Sequence, residues 1–191
     1  KWMNSVDWWF AYTSGVAQYL RENGFPAEQI TTVNNAIDTC KLLKQRQEIT
    51  EDDLSAFRRE KGIEAHRPTG LFCGGLYKEK RLDFLLEACE RIKQDIPDFQ
   101  MIFIGSGKED AKIQQFANQH GWVHFLGAQY GKDKLLSYCC SDVVLMPGLV
   151  GLGVLDSFCL EAPLITTRYE YHSPEIEYLQ SEHNGIITEN T

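Results

Sequence analysis

From Thr69 onward the chain repeats one pattern: a short apolar run, a turn, then a segment of helical period. Apolar runs at residues 70–73, 99–104, 123–126, 143–146 and 163–167 predict strands. The stretches 80–93, 109–119, 133–140 and 154–161 predict the helices between them, with a short helix at 175–179 and a last strand at 185–188. Strands apolar along their whole length are buried on both faces, as parallel strands are. Strict alternation of such strands with helices constrains the unit to an α/β fold, a parallel sheet with helices on both faces. Ligands of such sheets bind in the loops leaving the carboxyl ends of the strands.

The first third reads differently. Residues 8–12 and 29–33 predict strands, and 14–23 a helix that Gly24 ends. Residues 41–62 are polar and charged, with an amphipathic helix over 52–59, and Arg67-Pro68 marks a boundary. The chain therefore divides into 1–66 and 67–191, one domain of ordinary size plus an extra piece. Its opening at Lys1, Trp2 and Met3 reads as that of a fragment, without a signal peptide.

With 43% hydrophobic and 24% charged residues, a packed core is expected. The net charge of -8 argues against a general nucleic-acid binder, which needs a basic face. No run of eighteen apolar residues offers a membrane span. Cys40, Cys73, Cys89, Cys139, Cys140 and Cys159 show no paired spacing, which suits a reducing, cytoplasmic compartment.

Four loops face the expected site. The richest runs from Pro147 to Gly153, where Gly148, Gly151 and Gly153 let the backbone approach a ligand and a helix start offers N–H groups to an anion. Asp156 follows in the first turn of that helix. It serves either as a complement to the helix dipole or as an acceptor for two ribose hydroxyls. A second loop carries Gly74 and Gly75, then Lys78, Lys80 and Arg81 where a helix begins. Cations more often sit at the other end of a helix, so their presence here favours a phosphate over a solvated cluster. The third, Gly105-Ser106-Gly107 with Asp110, falls short of a dinucleotide fingerprint. The fourth, residues 127–131, could line a nucleobase pocket. Further on, Glu175 follows Pro174 at a helix start, where a dipole role is the plainer reading, and His172 is a candidate base without an evident partner.

The ordered set resembles the nucleotide-sugar half of a GT-B glycosyltransferase of the retaining group called family 4. The matching residues are Gly75-Leu76 with Lys80; Gly105 and Gly107; Phe125 with Gly127; Pro147, Gly151, Leu152, Gly153 and Asp156; Pro163 to Ile165; Pro174-Glu175 with Leu179; and Asn184-Gly185. Val33 to Asp38 is similar to the segment that closes the family's first domain. Two departures stand out: Gly75 occupies the family's phosphate-binding arginine position, and Val150 occupies that of its first glutamate.

The resemblance implies a Rossmann-like C-terminal domain of a GT-B fold, preceded by a short piece of the first domain. It implies a metal-independent enzyme, cytoplasmic or peripheral at the inner face of a membrane through the missing half. Its partners would be a nucleotide diphosphate-sugar, uridine or guanosine, and an unknown acceptor in polysaccharide or glycoconjugate synthesis. Lys80 would be the catalytic cation. Gly75, Arg81, Gly105, Gly127, Gly151, Leu152, Gly153, Asp156 and Glu175 would join it in binding the donor. A nucleotide-sugar 2-epimerase using His172 and Glu175, or a non-catalytic domain with a decayed site, are the alternatives.

Overall fold

The computed structural model describes residues 2–189. Near the amino end, β1 (Trp9–Ala11) and β2 (Ile30–Thr32) pair in parallel across the helix α1 (Ser14–Glu22). The Thr13 hydroxyl caps α1 by accepting from the Val16 N–H. Ala11, Ala17, Leu20 and Phe25 make a small core of their own, with Trp9 packed edge-on against Phe25.

Two helices follow, α2 (Thr39–Gln47) and α3 (Glu51–Lys61). The second is the expected amphipathic helix, and Thr50 and Asp53 close a capping box at its start. The first falls in the stretch read only as polar: it buries no residue fully, so periodicity leaves little trace of it. Asp38 starts it by accepting from the Lys41 N–H. Both helices pack on the larger unit, and Phe57 and Ile63 belong to its core.

That unit is a six-stranded parallel sheet. Its strands are β3 (Thr69–Cys73), β4 (Gln100–Ile104), β5 (Val123–Phe125), β6 (Val143–Leu145), β7 (Leu164–Thr167) and β8 (Gly185–Thr188). They lie in the order β5-β4-β3-β6-β7-β8. The interior strand β4 is buried along its length, as a strand covered on both faces must be. The connecting helices are α4 (Leu82–Asp95), α5 (Asp110–Gln119), α6 (Gly131–Cys139) and α7 (Gly153–Cys159). The helix expected over 80–93 begins only at Leu82, after a 3-10 turn at Lys78–Lys80, and the one expected at 175–179 is a 3-10 turn, Pro174–Tyr178.

The strand order places the site. Chain connections run outward from β3 to β4 and β5 on one side, and from β6 to β7 and β8 on the other. The carboxyl ends of the adjacent β3 and β6 therefore flank a crevice at the topological switch point, where open α/β sheets bind ligands.

Candidate functional site

At the crevice the loops after β3 and β6 touch directly. The Leu149 N–H donates to the Glu79 carbonyl at 2.9 Å. Gly148 lies against the same turn: a methyl group there would stand 2.2 Å from the Glu79 oxygen and 2.6 Å from Lys80 Cα. Only glycine allows that approach.

Lys80 is the centre of this junction. Its residue is 6% exposed, and its Nζ donates to the Leu149 carbonyl at 2.5 Å. Met146 Sδ lies 3.8 Å from the ammonium and the Tyr77 ring 5.5 Å from it. A methyl group on Gly74 would stand 3.7 Å from Nζ, so the charge lies directly behind the first glycine of the β3 loop. Burial pushes its pKa down from 10.5 to about 8, opposed by the neighbouring Cys73. The protein holds a cation here with one backbone carbonyl and, among the described residues, no carboxylate partner. An anion arriving beside it would relieve that cost.

Arg81 takes another job. It adopts the left-handed conformation, φ 54°, at the start of α4. Its guanidinium donates to Thr167 Oγ1 at 2.9 Å and stacks over Phe84 at 4.4 Å, with Tyr169 at 5.7 Å. The Thr167 hydroxyl in turn donates to the Pro147 carbonyl at 2.7 Å. Arg81 thus holds the entry of the glycine-rich loop from below.

His172 holds the middle of that loop. The Val150 N–H donates to its Nδ1 at 3.0 Å, so the ring's hydrogen is on Nε2, which donates to the Thr167 carbonyl at 2.8 Å. The Ser173 N–H donates to the Val150 carbonyl at 2.9 Å. Burial lowers the His172 pKa, the Thr167 carbonyl acts against that, and Lys80 adds to it. With both nitrogens engaged by backbone, the imidazole orders the loop.

A cleft of about 370 Å³ opens over the carboxyl ends of β3, β4 and β5. Cys73, Gly74, Gly75, Gly105, Gln129 and Lys134 are among its walls. Gly105 is fixed there by sterics: at φ 147° a methyl group would stand 1.8 Å from the Gly74 oxygen. Asp156, on α7, accepts from Lys134 Nζ at 2.7 Å, and the two side chains are 14% and 27% exposed. A carboxylate has lone pairs beyond the one Lys134 uses.

Glu175 lies elsewhere. It is 3% exposed and accepts from Asn35 Nδ2 at 2.5 Å. Two residues on, Glu177 accepts from the Thr13 hydroxyl at 2.6 Å and the Gly15 N–H at 2.9 Å. These carboxylates fasten residues 13–35 to the larger unit. A wider cleft, about 780 Å³, lies at the amino ends of β7 and β8. Among the described residues no lysine or arginine lines it, whereas Glu161 and Glu182 do, which disfavours a diphosphate there.

The structure thus brings Lys80 and Gly148 to one junction, with Arg81 anchored on Thr167 beside the entry of the same loop, Gly75 and Gly105 lining the adjoining cleft and Asp156 bonded to Lys134 in its wall. Sequence reasoning passed over Lys134, Thr167, Asn35 and Glu177. Lys134 sits in a helix with Lys132 and Asp133, where one more charge carries no signal.

This is a doubly wound α/β unit with a cationic, glycine-built switch point, and its architecture matches the C-terminal half of GT-B glycosyltransferases. It superposes on a glycosyltransferase from Rickettsia africae with a TM-score of 0.79 at 16% identity, over 100% of this chain and 52% of that one. It superposes on WaaG, a glycosyltransferase involved in lipopolysaccharide biosynthesis, with a TM-score of 0.72 at 17% identity, over 95% and 49%. Residues 67–191 match the family description "Glycosyl transferases group 1", and the chain belongs to that family. It is 28% identical over 108 residues to a GDP-mannose-dependent monoacylated alpha-(1-6)-phosphatidylinositol monomannoside mannosyltransferase of Corynebacterium glutamicum. That match covers 56% of this chain and 28% of the relative. The chain spans about half, or less, of the length of these relatives.

Proposed function

We propose that this chain is the donor half of a retaining glycosyltransferase and binds a nucleotide diphosphate-sugar across the β3–β6 crevice. The observation that carries the reading is Lys80: a buried ammonium with no carboxylate partner among the described residues, set between the β3 turn and the glycine-rich loop. As the glycosyl bond breaks, negative charge grows on the diphosphate, and a fixed cation in a water-poor site stabilises that charge. Loop N–H groups add to it, and this role needs no metal. Asp156 would accept a ribose hydroxyl, and the loops after β4 and β5, with Gly105 and Gly127, would receive the base. Gly151, Leu152 and Gly153 would follow the diphosphate. Glu175 is proposed to act at the margin, setting the donor half against residues 1–66.

In this reading residues 1–66 hold the end of a first domain and the connection from it, and 67–191 form the donor domain. Sequence beyond this chain would build the acceptor side. A cytoplasmic enzyme, peripheral at the inner membrane face through that other half, fits a chain in which no described helix is long and apolar enough to cross a membrane. An epimerase reading would need His172 free as a base, and both of its nitrogens are engaged by backbone.

Calorimetric titration with uridine, guanosine and adenosine diphosphates tests the proposal. One of the three should bind, and Lys80→Ala and Asp156→Ala should each weaken it. Absence of binding by all three to the folded wild type would overturn the reading.

A further inference from the structure

A single peptide unit stands between Lys80 and His172. The Leu149 carbonyl accepts from Lys80 Nζ at 2.5 Å, and the Val150 N–H donates to His172 Nδ1 at 3.0 Å. Both groups belong to one planar, trans amide, so they point in opposite directions and can only turn together. Whatever holds the N–H therefore also aims the carbonyl. The flanking groups leave this amide little room. Val150 is wholly buried, its own carbonyl accepts from the Ser173 N–H, and the Leu149 N–H donates to the Glu79 carbonyl. The ring is fixed at its far side, where Nε2 donates to the Thr167 carbonyl at 2.8 Å.

We propose that His172 is a positioning residue for Lys80: its neutral ring, acting through the Leu149–Val150 peptide, fixes the ammonium behind the β3 loop, and protonation of the ring releases it. This rests on the donor-binding reading above and adds to it a residue that need not touch the ligand. Neutral imidazole with its hydrogen on Nε2 accepts at Nδ1, whereas imidazolium donates at both nitrogens and accepts at neither. A protonated His172 would meet the Val150 N–H with a second donor, and the amide would lose that anchor. Two cations would then stand at the two ends of one peptide. The surroundings of the ring favour the neutral form. Burial disfavours the charge, the Thr167 carbonyl favours it, and Lys80 disfavours it again. The Tyr169 ring lies edge-on at 5.7 Å, with Arg81 another 5.7 Å from that ring. Among the described residues no carboxylate acts on His172 to offset this. Lys80, at about 8, keeps its charge between pH 5 and 7.5, so of the pair only His172 titrates there.

Two other views make different predictions. If His172 only braces the loop, its protonation leaves the Lys80 side chain undisturbed. If an imidazolium simply attracts the diphosphate, affinity rises in acid.

The test uses the whole chain. By nuclear magnetic resonance without nucleotide, the Val150 amide and the Lys80 Cε signals should both shift with the His172 ring between pH 7.5 and 5, sharing its midpoint. In His172→Asn, whose amide oxygen can accept from an N–H but does not titrate, neither should follow such a midpoint. Calorimetry then uses the uridine, guanosine or adenosine diphosphate that binds best. The ratio of wild-type to His172→Asn affinity should fall about three- to tenfold from pH 7.5 to 5, the range of one neutral hydrogen bond. Taking the ratio cancels titration of the ligand's own phosphates. Thermal unfolding checks that the variant is folded; if it is not, the wild-type resonance titration decides alone. A Lys80 signal indifferent to His172, or a ratio that is flat or rises in acid, would overturn the proposal while leaving donor binding standing. If the wild type binds none of the three nucleotides at pH 7.5, the donor reading falls and this role falls with it.

Discussion

Replacing Lys80 by methionine should stabilise the empty protein at neutral pH relative to what a lost hydrogen bond predicts, and the effect should vanish in alkali. An ordinary lysine near 10.5 is held at about 8 in the fold by burial. That difference corresponds to roughly 3 kcal/mol of cost for keeping the side chain charged at pH 7. Methionine has similar length and removes the charge. It also leaves the Leu149 carbonyl without the Lys80 donor, a loss of about 1–3 kcal/mol. The net change at pH 7 lies between about zero and 2 kcal/mol of stabilisation, the difference of those two terms. The sign of the pH dependence follows from linkage. Between the folded value near 8 and the unfolded value near 10.5, the unfolded chain holds more protons. The wild type therefore gains stability as pH rises through this window, while the methionine variant does not. By pH 10 the wild type should have recovered about 2–3 kcal/mol relative to the variant. Urea unfolding of both proteins at pH 7 and pH 10, with the difference between them as the readout, cancels titrations that they share. A difference that stays constant across that range would refute the claim that Lys80 is a strained, uncompensated cation. The same physics predicts that diphosphate binding above pH 8 takes up a proton, measurable by calorimetry in buffers of different ionisation enthalpy.

Gly148→Ala should destabilise the protein by several kcal/mol, in the range of severe steric variants, and abolish nucleotide binding, because its methyl group would meet backbone at 2.2 Å; denaturant unfolding reports the first and calorimetry the second. Burial, with Lys80 adding to it against the Thr167 carbonyl, puts the folded pKa of His172 below the ordinary 6.5, and the neutral ring accepts from the Val150 N–H. Its contribution is full above about 6.5 and is lost as pH falls through the folded value. The stability difference between wild type and His172→Asn should shrink below that pH, and a difference that holds constant from pH 7.5 to 5 would contradict the hydrogen-bond assignment. Glu177→Ala removes the acceptor for Thr13 and the Gly15 N–H at the start of α1. About 1–2 kcal/mol should be lost, with faster amide exchange confined to α1 and the β1–β2 pair; uniform exchange rates across the chain would count against it.

The sheet was legible because five of its six strands are short apolar runs between turn residues, and burial on both faces needs no subtler code. Strand order was not legible, since apolar runs do not name their neighbours. Yet order is what sets Lys80 beside the glycine-rich loop, by placing β3 next to β6. α2 escaped notice because it buries no residue completely, so its sequence lacks an apolar stripe. At the site, glycines and a cation at a helix start were readable as local chemistry. Arg81 was not: whether a guanidinium faces a ligand or Thr167 depends on a contact 86 residues away in the chain. Lys134 and Asp156 present the same difficulty across 22 residues.

The segment from His172 to Tyr178 gives the fold a way to join two structural tasks. At one end His172 and Ser173 hold both backbone groups of Val150, in the loop beside Lys80. At the other end Glu175, Glu177 and Tyr178 bond Asn35, Thr13 and the Asn35 carbonyl, all in the amino-terminal unit. Seven residues therefore span from the proposed diphosphate loop to the piece that β1 and β2 build. The turn between them, Pro174–Tyr178, is a 3-10 helix started by proline, which fixes one backbone angle and limits slack. Since Glu175 is almost wholly buried, breaking its bond to Asn35 would leave a buried acceptor short of a partner. One seven-residue segment therefore holds the glycine-rich loop at one end and the amino-terminal unit at the other.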